Sequence, residues 1–532
     1  MKRKISSYPF IILLIYALTL PVWAQAERHT KPIDLLAGAK WVCSTDGGKT
    51  YSPAPVTIKA RKTTHIIART EFNVADPSQF IVLELTPNLP THSRLNLKFF
   101  LNGKRITPPM EGMNYKTYPA IDAKMLKKGI NTLLGKITLK GRKKDYQLDI
   151  KMRLVGLTAR DLKIQTGPIL GAFGNGFFTV TCRTNMPAEV ILWRPSAEAR
   201  TINPQIWKSN RGLIHRFCIK TSPPVASLDK RKITGIYRIA ACLGNFRTRP
   251  INFRATLSLK PDELRFAALG DSRTNIEDWA KVADAVLKAN PDLVIFSGDM
   301  VSYGRNDWEW DEQFFAPAKK LLATIPFYSV IGNHEANAPL YDELFYTPSK
   351  DGKSKNWSQE INGVLFIGID GKDDFSKGSK NYQWLKKTLA NSKAKFIFFF
   401  NHYPAYSSSY HGRVDEETNQ PREEPVRQAR DVLLPLLVKY RITAYICGHD
   451  HVYERSELPN GLTHIISGGA GAPRYKKTEE AKKQNPYSKV FRATLHYCIF
   501  EIKNDTCSMK AITPTGEIID SRTWKARKTL AE

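Results

Sequence analysis

The sequence predicts two all-β sandwich regions followed by an α/β domain. Three observations predict it. With 532 residues the chain exceeds one ordinary domain. Short alternating runs and turn signals, without a long amphipathic helix, fill about 27–156 and 160–258. After "SLKPDELR" apolar runs alternate with helical patterns to about residue 515, leaving 516–532 as a tail.

Residues 1–26, "MKRKISSYPFIILLIYALTLPVWAQA", have a basic start, an apolar stretch from Tyr8 to Leu20 and a small-x-small site at Ala24-Gln25-Ala26. That is the pattern of a cleavable signal peptide, so the expected location is secreted or periplasmic. No later stretch reaches the roughly 20 apolar residues of a spanning helix. The formal net charge is +30, with Lys and Arg scattered through all regions. A basic stripe with interleaved aromatics is missing, so no specific nucleic-acid partner is expected. The seven cysteines show no zinc spacing, and a pair within Cys182, Cys218 and Cys242 is open to bridging in an oxidising compartment.

In the first β region "RLNLKFFLNGKRI" contains an Asn102-Gly103 turn suited to a tight hairpin. In the second, "GPILGAFGNGFFTVTCRTNMPAEVILWRP" and "KITGIYRIAACLG" read as strands of a sandwich. In the α/β region, Thr274 and Glu277 have capping-box spacing. Ile276, Trp279, Val282, Ala283, Val286 and Leu287 follow at helical spacing and complete a βαβ pattern. Near the end, a two-residue turn at Asn504-Asp505 would set Cys507 opposite Ile502, which argues against a bridge between Cys498 and Cys507.

Five runs, "RFAALGD", "DLVIFSGD", "FYSVIGNH", "KFIFFFNH" and "ITAYICGH", each end in a residue of metal-ligand type. Ligands collect outside the carboxyl ends of strands in α/β sheets, so Asp271, Asp299, Asn333, His402, His449 and His451 should meet there. In "GHDH", His449 and His451 would point the same way if the chain stays extended, toward a shared metal or an anion. The alternative is a polar loop with two solvated histidines. Five of the eleven histidines (His334, His402, His411, His449 and His451) fall within 118 residues, about twice what even spacing would give.

The ordered set "GDSR", "GDMVSYG", "GNHE", "NHYPAYSSSYHG" and "GHDHVYER" resembles the calcineurin-like metallophosphoesterases. Through "GNHE", "HYPAYSS", "GHDHVYERS" and "ISGGAGAP" it most resembles the purple acid phosphatases, over about 262–515. The resemblance implies an αββα domain in which Asp299 bridges two metal ions. Asp271 and His451 would hold the first ion, and Asn333, His402 and His449 the second. The mixed donors suit Fe, Mn or Zn. His334 would contact substrate or attacking group, and His411 would assist the leaving group. Region 160–258 looks like the fibronectin-III-like module that precedes the catalytic domain in plant-type purple acid phosphatases. "LNGK" followed by "IDAKMLKKGINTLLGKITL" resembles galactose-binding-like jelly rolls, with a structural spacer as the alternative.

Two positions depart from the family. Arg273 stands where relatives have histidine or glycine, and a guanidinium cannot ligate a metal; it is a phosphate clamp or a surface arginine. Ser302 takes the place of the iron-binding tyrosine, with Tyr303 next to it as a substitute ligand. Trp308, Tyr406 and Tyr410 either shape the mouth of the site or pack. The expected activity is hydrolysis of phosphate monoesters on small molecules or glycans by a dinuclear centre. The alternatives are a phosphodiesterase, or a glycan-binding surface protein with an inactive domain, the N-terminal region then supplying carbohydrate contact.

Overall fold

A computed structural model describes residues 32–58, 63–88, 96–139, 146–148, 151–174, 177–195, 205–220, 232–258, 262–346 and 355–527. The predicted signal peptide lies outside the described residues.

The described residues of 32–157 form two larger antiparallel sheets that close on one core, and a separate two-stranded pair, Val56–Ile58 with Tyr146–Leu148. One is built around Lys151–Leu157 and Val82–Asn88, the other around Thr64–Val74 and Gly129–Leu139. Leu83, Leu85, Phe99, Leu101, Leu133 and Leu154 are buried together, which follows from strands whose alternate residues are apolar. Asn102 and Gly103 both adopt left-handed φ, +50° and +78°, and join a hairpin with Leu101 opposite Lys104. From Ile164 to Ser258 the 18-residue strand Phe177–Arg194 is shared between partners. Its first half pairs with Ile164–Gly174 and Gly212–Lys220, its second with Lys232–Leu243 and Gln205–Lys208.

The remaining strands are β1 (Glu263–Leu269), β2 (Leu293–Phe296), β3 (Phe327–Ser329), β4 (Trp357–Ile361), β5 (Val364–Gly368), β6 (Phe396–Phe400), β7 (Ala444–Cys447), β8 (Tyr453–Glu457), β9 (Thr463–Ser467), β10 (Ser488–Arg492), β11 (Tyr497–Lys503), β12 (Thr506–Ile512) and β13 (Ile518–Lys525). They form two sheets, ordered β3-β2-β1-β11-β12-β13 and β4-β5-β6-β7-β9-β8-β10. Pairing is parallel along β1-β2-β3 and along β5-β6-β7-β9. The sheets face each other through aromatic rings: Phe266 on the first lies 5.0 Å from Phe366 and 4.9 Å from Phe398 on the second. Helix α1 (Ile276–Ala289) covers the outer face of the first sheet with Trp279, Val282, Ala283 and Val286. Helix α2 (Lys380–Asn391) buries Leu385 and Leu389 in the cluster of Ile367, Ile397 and Phe399 on the second.

The structure corrects three expectations. No capping box forms on α1: Asn275 is the N-cap without a side-chain bond, and Thr274 instead reaches Ser302 Oγ (3.1 Å). Ile276 is 45% exposed rather than on the buried face. The segment 516–532 is not merely a tail, because β13 pairs with β12 and Asp520 accepts hydrogen bonds from Tyr453 and Arg455. The Asn504-Asp505 hairpin sets Cys507 opposite Ile502, as expected, and all seven cysteines are free thiols.

Candidate metal centre

The five strand ends converge at the seam between the two sheets. Asp271, Asp299 and Asn333 follow β1, β2 and β3 of the first sheet; His402 follows β6, and His449 and His451 follow β7, of the second. One sheet thus supplies the oxygen donors and the other the nitrogen donors.

Local backbone explains why glycine precedes so many of these residues. Asp271, Asp299 and His449 have φ of +63°, +60° and +71°, a left-handed turn that Asp and His tolerate better than most. The turn swings each side chain off its strand end. Space is equally tight, since a Cβ on Gly332 would lie 2.2 Å from Asp299 Oδ1, and one on Gly448 2.2 Å from Asp271 Oδ2. The turn at His449 also ends the extended geometry expected of "GHDH". His449 Nδ1 faces His402 Nε2 at 3.1 Å, whereas His451 Nε2 faces Asp271 Oδ1 at 3.8 Å.

The donor set fits a cation. Each imidazole spends one nitrogen on the protein: His402 Nδ1 on Ser297 O (2.7 Å), His451 Nδ1 on Pro473 O (2.7 Å) and His449 Nε2 on Glu423 Oε2 (2.8 Å). These acceptors require the N–H there, which fixes the opposite nitrogens as lone-pair donors. Burial pushes His402, His449 and His451 down to about 3, so all three are neutral near pH 7. Two lone-pair nitrogens then face each other, with His402 Nε2 also 3.0 Å from Asn333 Oδ1 and 3.4 Å from Asp299 Oδ1. Repulsive without a cation, this spacing is close to the roughly 3 Å between neighbouring ligands each about 2.1 Å from one ion. A second group, Asp271, Asp299 and His451, has facing ligand atoms within 4.8 Å of one another. Asp299 belongs to both groups. Burial, and then the charge of Asp299, push the Asp271 carboxyl well above the usual range. A bound cation would relieve that cost.

Arg273 lies on the Asp271–Asp299–His451 group, with Nη2 3.4 Å from His451 Nε2 and Nε 3.7 Å from Asp299 Oδ2. His334 donates its backbone N–H to Asp299 Oδ1 (3.0 Å) and Nδ1–H to Ser302 O (2.6 Å), leaving Nε2 3.8 Å from Asp299 Oδ2. The His411 ring lies 3.7 Å from the His449 ring, with Nδ1 hydrogen-bonded to Glu423. Burial pushes His411 down, but Glu423 and Asp450 outweigh it and hold it above the usual value. The Tyr303 side chain is 44% exposed, and Ser302 Oγ is tied to Gln313 Oε1 (2.9 Å). Trp308 is half-buried; Tyr410 packs 5.0 Å from the His411 ring and Tyr406 5.1 Å from Tyr487.

Sequence reading gave no role to Glu335, Glu423 or Tyr475. Glu335 is fully buried and accepts the N–H groups of Asp299 (3.0 Å), Met300 (2.7 Å) and Gly332 (2.6 Å), binding the loops after β2 and β3. Its place in "GNHE" was a usable signal. Tyr475 stacks on His451 at 4.2 Å.

The profile described as calcineurin-like phosphoesterase matches residues 264–453. Tartrate-resistant acid phosphatase type 5 of Oryctolagus cuniculus is 38% identical over 250 residues, covering 38% of this chain and 72% of that protein. The Homo sapiens protein of the same name is 25% identical over 269 residues, covering 42% and 78%. Probable inactive purple acid phosphatase 9 of Arabidopsis thaliana is 30% identical over 230 residues, which span 34% of each chain. Among solved structures, purple acid phosphatase PPD1 from yellow lupin (Lupinus luteus) seeds aligns with a TM-score of 0.58 at 16% identity over 87% of this chain and 93% of that one, a likeness of fold alone.

Proposed function

The chain belongs to the calcineurin-like phosphoesterase family, with purple acid phosphatases among its homologues, and is a metal-dependent phosphoesterase hydrolase; from that premise we propose that it is an exported dinuclear phosphatase acting on phosphate monoesters. The observation that carries the reading is Asp299, shared by two groups of facing ligand atoms. We assign Asp271 and His451 to one ion and Asn333, His402 and His449 to the other, with Fe, Mn or Zn as the matching metals. Such a pair supplies an activated oxygen nucleophile and a clamp for phosphoryl oxygens.

The remaining roles belong to the chain itself. Arg273 offers a bidentate guanidinium to the phosphate, His334 orients the attacking side through Nε2, and His411 holds a proton for the leaving oxygen. Tyr303 is left outside the ligand set in this reading, on its exposure. Export rests on the signal-peptide pattern of residues 1–26. The galactose-binding-like reading of 27–156 and the fibronectin-III-like reading of 160–258 rest on the sequence patterns quoted above; the substrate class is a phosphorylated small molecule or glycan, and the first module would suit the glycan.

Elemental analysis of purified protein, with activity after chelation and add-back of Fe, Mn or Zn, tests the centre. About two ions per chain are expected, with Asp299→Ala losing both occupancy and turnover. One ion at most, with normal activity, would overturn the dinuclear assignment. Initial rates on an aryl phosphate and a bis-aryl phosphate separate the two esterase activities, and a preference for the diester would overturn the monoesterase reading.

A further inference from the structure

The N-terminal β region does more than sit beside the α/β domain. Its Gly112–Tyr115 turn is built into the loop that leaves the bridging aspartate. Met113 is only 7% exposed and lies in the apolar cluster of the α/β domain with Trp310, Leu340 and Tyr341. Asn114 N–H donates to Arg305 O (2.6 Å), and Asp307 N–H donates to Asn114 O (2.9 Å), a short parallel bridge between the two regions. Asn114 Nδ2 reaches Asn306 Oδ1 (3.0 Å), and Arg305 Nη1 reaches Gly112 O (3.3 Å). Gly112 has φ +80°, and a Cβ there would lie 3.4 Å from Arg305 Nη1.

The gripped residues directly follow those that set His334. Gly304 N–H donates to His334 O (2.7 Å), and Ser302 O accepts from His334 Nδ1 (2.6 Å). Arg305 Nε also reaches Ala336 O (3.3 Å), so Arg305 spans the N-terminal turn and the loop carrying His334. Gly304 is pressed so close that a Cβ would lie 2.2 Å from Glu335 O. Hydrogen bonds, joined by the backbone of Ser302–Arg305 and His334–Ala336, thus connect Gly112 and Asn114 to the imidazole beside Asp299.

We propose that the Gly112–Tyr115 turn, acting through Arg305, positions His334 for the reaction. Met113, Asn114 and Arg305 are positioning residues on this account, and the first β region is a working part of the site rather than a detachable spacer. The inference rests on the catalytic role given to His334 above. A loop released at Gly304 loosens the contact of the imidazole to Ser302 O, while Asp299 keeps its bonds to Glu335 and to the His334 backbone, and a misplacement of about 1 Å can cost up to roughly 100-fold in rate.

The test uses the full-length protein with Met113→Asp, Met113→Leu and Arg305→Ala. On p-nitrophenyl phosphate, Met113→Asp and Arg305→Ala should lower kcat about tenfold, with KM and ion content within twofold of wild type. Met113→Leu should keep wild-type kcat. Backbone amide exchange at Gly304 and Asp307 should quicken in the two impaired variants and not in Met113→Leu. If Met113→Asp does not fold, Arg305→Ala decides alone. Unchanged kcat despite faster exchange overturns the proposal, as does a fall in kcat that tracks loss of ions. Failure of the wild type to release phosphate counts against the proposed function instead, and unchanged exchange still overturns this inference.

Discussion

Glu423 places one carboxylate oxygen 2.8 Å from His449 Nε2 and gives the other to His411, so one side chain fixes two imidazoles with different tasks. Burial raises the Glu423 carboxyl, but its hydrogen bonds to His411 and His449 outweigh that and hold it below the usual carboxylate range. Glu423→Ala should weaken ion binding at the His402–His449 position roughly 10- to 100-fold, as loss of a carboxylate behind a ligating histidine does. Competition against a chelator of known affinity reads the change, and equal affinity in the two proteins would remove Glu423 from the centre.

Arg273 lies within 3.7 Å of both His451 and Asp299, against the Asp271–Asp299–His451 group. As a phosphate clamp it should act mainly on binding, so Arg273→Ala raises KM for p-nitrophenyl phosphate about tenfold or more and leaves ion content intact. Steady-state kinetics check this. Unchanged KM and kcat would leave it no part in phosphate binding.

Glu423 and Asp450 hold His411 above its usual value, which favours its acting as proton donor to an alkoxide leaving group. His411→Ala should slow alkyl phosphates by about 10²-fold or more and p-nitrophenyl phosphate far less, since general-acid assistance is worth roughly 10² to 10⁴ where the leaving group needs it. The comparison is kcat/KM for both substrates where chemistry limits the rate. Equal losses would assign His411 to positioning.

His215, far along the chain from the centre, predicts a pH effect on stability. It is buried between Ser209 Oγ (2.7 Å) and Thr184 Oγ1 (3.2 Å), and burial pushes it down to about 4. The unfolded chain binds this proton near 6.5 and the folded chain only near 4, so between those values unfolding takes up a proton. Its stabilising contribution is complete above about pH 6.5 and declines as pH falls toward 4, at up to about 1.4 kcal/mol per pH unit. Urea unfolding across that range should show a shallower slope in His215→Gln. Identical slopes would refute the assignment.

Much of the centre was legible because four of the six residues end one local pattern, an apolar run, a glycine, then a donor, while His402 follows an apolar run through Asn401 and His451 lies two residues after His449. Asp271, Asp299, Asn333, His402, His449 and His451 all meet where that logic puts them. The resemblance implied two sheets, but which strand belongs to which sheet was not legible, since periodicity marks a buried strand without naming its neighbour. Glu423 escaped notice because it arrives from a loop with no periodic signature. β13 was missed because an edge strand that is exposed or half-buried along its whole length shows no clean alternation. Thr274 turned away from its helix because φ of +78° carries it toward Ser302.

Oxygen donors on one sheet and nitrogen donors on the other give the ions a mechanical part as well as a chemical one. Each cation bound there would be a rivet across two plates that also meet through apolar rings such as Phe266 and Phe398 and through the bonds of Tyr453 and Arg455 to Asp520. Sliding one plate against the other dismantles the donor set, so ions that bind only the closed seam resist that sliding by RT ln(1 + [ion]/Kd), about 2.7 kcal/mol at a hundred times Kd. Melting temperature therefore becomes a gauge of ion supply, and a cell short of the metal would hold a protein that is looser as well as idle.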